Sequence, residues 1–283
     1  MVVARPREIT QIPWLIPAVA SFVPEARFDR FAKVTGVDLR QTPEAFIASY
    51  QTDEGDALAE IVRHAGDAQV IERAFRARLS ADVTRAVDRP DLVRVTGRIG
   101  RDAQGFATIG ADVVCFQQGG SMKRGPCRVS TLLSQGKLGR LKTLAAKEIF
   151  SSLELRLGPA PFRAFALGPF EGDLARGARG LAAAATAIGL AARPSAREGI
   201  FLSVVLLGDF AAKPELAARE LELAWADVAK APFGHLCGLD TPMTPALVVF
   251  AADALTLQVE LDTKKLGRGL ADATVNEVNA IMR

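Results

Sequence analysis

Two histidines, His64 and His235, and three cysteines, Cys115, Cys127 and Cys237, are the residues of this chain best suited to proton transfer, nucleophilic attack or metal binding. Two histidines rule out a three-histidine metal site within one chain. The cysteine spacing contains no C-x-x-C, so a zinc ribbon or an iron–sulfur run is not expected. No metal and no cofactor is predicted. His64 lies in Glu60-Ile-Val-Arg-His64, which is not the H-E-x-x-H of a zinc protease. His235 lies in Phe233-Gly-His-Leu-Cys237, where an imidazole beside a thiol could build a Cys–His dyad. A partly exposed turn histidine and a buried cysteine are the simpler expectation. Cys115 and Cys127 could form one bridge, given the right geometry.

The richest pattern is electrostatic. From Val113 through Lys147 there is no Asp or Glu, while Lys123, Arg124, Arg128, Lys137, Arg140, Lys142 and Lys147 all fall there. Inside this stretch an expected strand ends at Phe116, the loop Gln117–Gly125 follows, and Pro126 suits the first turn of a helix. A glycine-rich loop leading into a helix can cradle an anion on its free amides. Gly119, Gly120, Ser121, Lys123, Arg124 and Arg128 are therefore candidate anion-binding residues. Gly120 to Gly125 has G-x-x-x-x-G spacing, but Pro126-Cys127 stands where a phosphate loop needs Lys and Ser or Thr. Ser134-Gln-Gly-Lys137 matches S-x-x-K without the S-D-N or K-T-G that accompany a serine acyl-enzyme. No G-x-G-x-x-G follows a strand, and the pairs Glu220/Glu222 and Asp253/Glu260 fall on expected solvent faces. No catalytic residue is assigned.

These side chains must be held by a chain of 283 residues, 49% hydrophobic and 24% charged, which is globular usage. At roughly 100–200 residues per domain this is one large or two modest domains. The balance of 35 basic and 32 acidic residues leaves +3, too small a surplus to predict a nucleic-acid partner. The apolar run 12–23 is short of the about 20 residues that span a bilayer and holds two prolines. Arg5, Arg7 and Ala18-Val-Ala20 outline a signal peptide only loosely, because Glu8 and the prolines interrupt it. The alternative places Val2–Ala4 in a short strand and 8–34 in a broken helical segment.

Periodicity then predicts helices over 25–49, with a break at Gly36 and a second piece from Glu44 to Ser49, and over 68–87. Residues 56–63 fit strand or helix. Leu92–Ile99 alternates apolar and polar, and Phe106–Ile109 with Asp112–Phe116 completes an antiparallel meander. A helix follows from Pro126, and another is expected at about 141–153. The second half reads as a strand at 162–167, a helix over 173–192, a strongly apolar central strand at 200–207, and a helix over 214–229 with Leu216, Leu223 and Val228 inward. Strands at 247–250 and 254–261 and a helix over 263–282 end the chain. Leu174, Leu181 and Ile188 recur every seventh residue, with small residues between them. Self-association through a helix at 173–192 is therefore an expected contact. The expected fold is α+β, with antiparallel or mixed sheets, helices packed on one face, and two lobes. The boundary is drawn at Gly158-Pro-Ala-Pro161, giving lobes 1–157 and 158–283.

Val3-Ala-Arg-Pro-Arg-Glu8, Arg27-Phe-Asp-Arg-Phe31, Thr35-Gly-Val-Asp-Leu-Arg40 and Arg163-Ala-Phe-Ala-Leu-Gly-Pro-Phe170 together resemble uncharacterised bacterial proteins predicted to be exported or lipid-anchored. The resemblance implies a cell-envelope location and assigns no activity or site residue. The leading expectation is a non-enzymatic structural or binding protein. The alternatives are an anion- or nucleotide-binding protein using loop 119–128, and an enzyme whose scattered site includes His235 and Cys237.

Overall fold

The computed structural model describes residues 1–122, 124–137, 139 and 147–281, apart from the side chains of 22 and 274–281. In chain order the elements begin β1 (Val2–Ala4), α1 (Pro6–Thr10), α2 (Ile16–Phe22), α3 (Glu25–Thr35), β2 (Glu44–Thr52), β3 (Gly55–Arg63) and α4 (Ala68–Arg76). There follow β4 (Ala81–Arg89), β5 (Leu92–Ile99), β6 (Asp102–Ile109), β7 (Val113–Gly119), α5 (Gly125–Ser134) and α6 (Glu148–Leu157). Next come β8 (Phe162–Leu167), α7 (Gly172–Ala175), α8 (Leu181–Ala184), β9 (Ala185–Pro194), β10 (Gly199–Gly208) and α9 (Pro214–Lys230). The last are α10 (Pro232–Leu236), β11 (Thr244–Ala251), β12 (Ala254–Asp262) and α11 (Thr263–Ile281). The fold class is α+β, and the strand pairings are antiparallel.

The chain divides into two compact units. Met1–Ile9 with Glu25–Lys142 forms the first, and Thr10–Pro24 with Thr143–Arg283 forms the second. The division differs from one at 158 because α6 packs on β9 and β10, and α2 packs on α11.

In the first unit the strands run β1-β2-β3-β7-β6-β5-β4. Successive side chains alternate between faces. On one face Val62, Val95, Phe106 and Val114 meet Ile71 and Phe75 of α4 in a single core cluster. Phe75, Phe106 and Phe116 cluster there with centroids 5.4 to 6.1 Å apart, Phe75 stacked on Phe106 and Phe116 tilted against both. On the other face Cys127 of α5 lies over β6, where its thiol reaches the Phe106 carbonyl at 3.8 Å. Arg94 of β5 also bonds Thr131 of α5 there.

The second unit repeats this logic in the order β11-β12-β10-β9-β8. Leu206, Leu255 and Leu257 face Ala217, Ala218 and Leu221 of α9. Val205 and Leu207 point the opposite way and are buried too. On that side Leu153 and Leu157 of α6 cover Gly189. Helices thus lie on both faces of the strands within each unit, where one covered face was expected. The reason is in β10, whose Ile-Phe-Leu-Ser-Val-Val-Leu-Leu is apolar in both phases and leaves two faces to shield from water.

Three expected helices are corrected by strand pairing. Glu44–Ser49 belongs to β2, held between β1 and β3. The 68–87 helix stops at Arg76, and Ala81–Arg89 is β4, paired with β5. The 173–192 helix does not form. Short helical turns end at Ala184, and Ala185–Pro194 is β9, bonded on both sides. Its alanines and glycine serve close approach of α6 to the sheet, so the seven-residue spacing of Leu174, Leu181 and Ile188 marks no helix face. The self-association expected of that helix loses its basis. α9 forms as expected, but Leu216, Leu223 and Val228 are exposed at 50%, 40% and 52%, while its alanine face is buried. Small side chains let the helix lie close on the sheet. Of the helix expected over 141–153, residues 141–146 lie outside the described residues.

Candidate functional site

The glycine-rich loop serves the fold through its own contacts. A Cβ on Gly119 would meet the Asp56 carbonyl, and one on Gly120 would meet Ala57 and Thr52, so both positions let the loop lie against the β2–β3 hairpin. The Ser121 amide donates to Thr52 Oγ1 at 3.2 Å, and Ser121 is buried. Arg124 donates to Asp53 at 2.9 Å, so its charge already has a carboxylate partner. Arg128 is exposed on α5, and Lys123 lies outside the described residues. The structure brings Gly119, Gly120, Ser121 and Arg124 together around the hairpin, with Asp53 among them.

His235 and Cys237 share α10 and its cap but face different surroundings. His235 Nδ1 pairs with Asp240 at 2.8 Å, and the imidazole is 58% exposed. Cys237 is 1% exposed, and burial raises its pKa. The other two cysteines are also buried free thiols. Burial pushes Cys127 up to about 11 and Cys115 up to about 12. Of the expected carboxylate pairs, Glu220 binds Arg179, Asp253 binds Arg156, and buried Glu260 accepts from Ser195. Among the described residues no three His, Cys, Asp or Glu side chains gather as metal ligands. No helix among them is long and apolar enough to cross a membrane.

The first unit holds a different feature, a cavity of about 350 Å³ between α3, α4 and the sheet. Phe31, Val37, Leu58, Val62, Phe75 and Phe116 are among the side chains that line it. Glu60 and Arg78 are the charged side chains that line it among the described residues. Glu60 stands in β3 directly between Ile47 of β2 and Phe116 of β7, with Leu58 and Val62 two residues to either side on the same face. Its carboxylate has no hydrogen bond or ion pair among the described residues. Burial raises its pKa, and the nearby Arg78 guanidinium opposes that shift. Arg78 is exposed and lies 5.7 Å from the centre of the Phe75 ring. Gln104 and Gln118 oppose one another across β6 and β7, and both line the cavity.

An acid whose folded pKa is raised helps stability fully only below the ordinary carboxylate range. That help is lost as pH rises through the raised value, because the folded state must then ionise a half-buried group. Glu60→Gln is therefore expected to raise the thermal midpoint at about pH 7 and to leave it near the native value at about pH 4. Melting curves at the two pH values check this, and a gain of equal size at both would refute it.

No family model and no curated protein matches this chain. Solved structures do match it. The structure of TP0453 in crystal form III is 9% identical, with a TM-score of 0.54 over 96% of this chain and 93% of that one. Crystal form IV of TP0453 is 8% identical, with a TM-score of 0.51 over 95% and 91%. At this identity the likeness shows the fold alone.

The cavity is not legible in the sequence because 56–63 fits either helix or strand, which leaves the direction of Glu60 undefined. The signal was present in Leu58-Ala-Glu60-Ile-Val62. Read with period two, it places one carboxylate at a position flanked by Leu and Val, where burial is expected to be apolar.

Proposed function

We propose that this is a non-enzymatic binding protein whose first unit takes a small, mainly apolar ligand into the cavity beneath α3 and α4. The observation that supports this reading is Glu60, a half-buried carboxylate with no hydrogen bond among the described residues, set between apolar side chains in a cavity that Gln104, Gln118 and Arg78 also line. A concave apolar site with few placed polar groups is the usual form of a small-molecule site. A lone carboxylate with no nucleophile, oxyanion donors or second acid beside it suits recognition better than catalysis. The reading also takes the protein as two-lobed and places it in the bacterial cell envelope. The envelope location rests on the resemblance of its N-terminal and 163–170 segments to exported or lipid-anchored proteins.

Filling the cavity tests the reading. The neutral dye phenylnaphthylamine should brighten when mixed with the native protein, and Leu58→Trp should abolish most of that signal while circular dichroism stays native. An unchanged signal in a folded Leu58→Trp variant would remove the cavity as the binding place.

A further inference from the structure

The chemistry of the ligand's polar end follows from how the two charges of the cavity are placed, an inference that rests on the cavity being a binding site. We propose that the cavity selects a cationic amphiphile, an apolar body ending in a protonated amine that pairs with Glu60.

Glu60 projects from the middle of the sheet, between Ile47 and Phe116. A carboxylate is an acceptor only, so every hydrogen bond it makes must come from a donor. The neighbouring side chains on its face, Ile47, Leu58, Val62 and Phe116, have none. A primary ammonium brings three donors and a charge of the right sign. Its remaining protons can go to the amide carbonyls of Gln104 and Gln118, which line the same space. A neutral hydroxyl would bring one donor and no charge. A carboxylate could accept from the amide N–H groups of Gln104 and Gln118 or from Arg78, but its charge would repel Glu60.

Arg78 does not reverse this preference. Its guanidinium is exposed and lies by the Phe75 ring, where water screens it. Glu60 sits among apolar side chains, where the same charge acts through a lower effective dielectric. The sign of the interior is that of Glu60.

Among the described residues that line the cavity, the charged or titratable group that bears on Glu60 is Arg78. α3 contributes Phe31 and Thr35, β2 contributes Ala45, Phe46 and Ile47, and β6 and β7 contribute Gln104, Phe116 and Gln118. Binding of an amine should therefore strengthen as pH rises through the titration of Glu60.

Titration calorimetry with octylamine, octanol and octanoate, which share one chain and differ in the head, tests the proposal. Native protein should bind octylamine at least about tenfold more tightly than octanol, with octanoate weakest, the scale expected for one partly desolvated charge pair. Glu60→Gln should bring octylamine to the affinity of octanol and leave octanol unchanged. Equal binding of octanol and octylamine by native protein would overturn the amine preference. So would tighter binding of octanoate, or a preference that survives Glu60→Gln. If octanol binds and Leu58→Trp blocks it, the cavity reading stands even when the amine preference falls. If none of the three binds, both fall together.

Discussion

Phe106→Ala should cost about 3–5 kcal/mol of stability, read as a lower urea midpoint with an unchanged slope. Phe106 is fully buried, stacks on Phe75 of α4 and meets Phe116 of β7 at a tilt. Three terms add. The ring loses its transfer from water, the void cannot fully close because β6 is held by β5 and β7, and two aromatic contacts disappear. The same ring backs the wall formed by Phe75 and Phe116, so cavity binding should weaken with stability. Phe106→Leu keeps most of the volume and should cost much less. A Phe106→Ala protein with the native midpoint would show that the aromatic cluster does not hold this unit together.

Gly189→Val should cost about 3 kcal/mol, at the upper end of what overfilling a packed core costs. β9 at this point has no room for a side chain on the α6 face. The first atom added would lie 2.6 Å from Leu157 Cδ1 and 2.9 Å from Leu153 Cδ1. Both leucines are buried to within 1%, so moving either one aside means repacking its neighbours. Valine favours a strand, so propensity works against the loss and leaves packing as its cause. A double-mutant cycle separates packing from backbone effects. Leu157→Ala alone should cost about 2–5 kcal/mol. In the Gly189→Val background the same change should cost about 1 kcal/mol less, because the space it frees is then used. Strict additivity would rule out the direct clash.

Both substitutions fall on residues whose surroundings the local pattern could not reveal. The meander of β5, β6 and β7 was legible because each strand alternates and each turn has its glycine or Asp. β10 was legible as a central strand because its residues are apolar in both phases, although the same fact should have called for helices on both faces. α9 was legible in extent and not in phase. A helix that packs through alanine presents its small residues inward and leaves Leu216 and Leu223 outside, the reverse of a hydrophobicity rule.

The cavity shows the same division. That 56–63 contains a carboxylate among apolar residues is plain in the sequence. That Glu60 has Ile47 on one side and Phe116 on the other depends on pairings made across the sheet, and those are set by which strands become neighbours. The basic run 113–147 was legible as charge, but Asp53, which answers Arg124, arrives from another hairpin.

What the sequence by itself determined is the α+β class, the short-range turns and most of the second half's strands, because these depend on periods of two and of three to four residues within one segment. What only the tertiary structure decided is the fate of 44–49, 81–89 and 185–194, the phase of α9 and the existence of an enclosure around Glu60. The alanines and arginines of these segments favour helix locally, but that preference is a fraction of a kcal/mol per residue and tertiary pairing overrides it. The choice falls to the partners that bury their faces and complete their backbone hydrogen bonds.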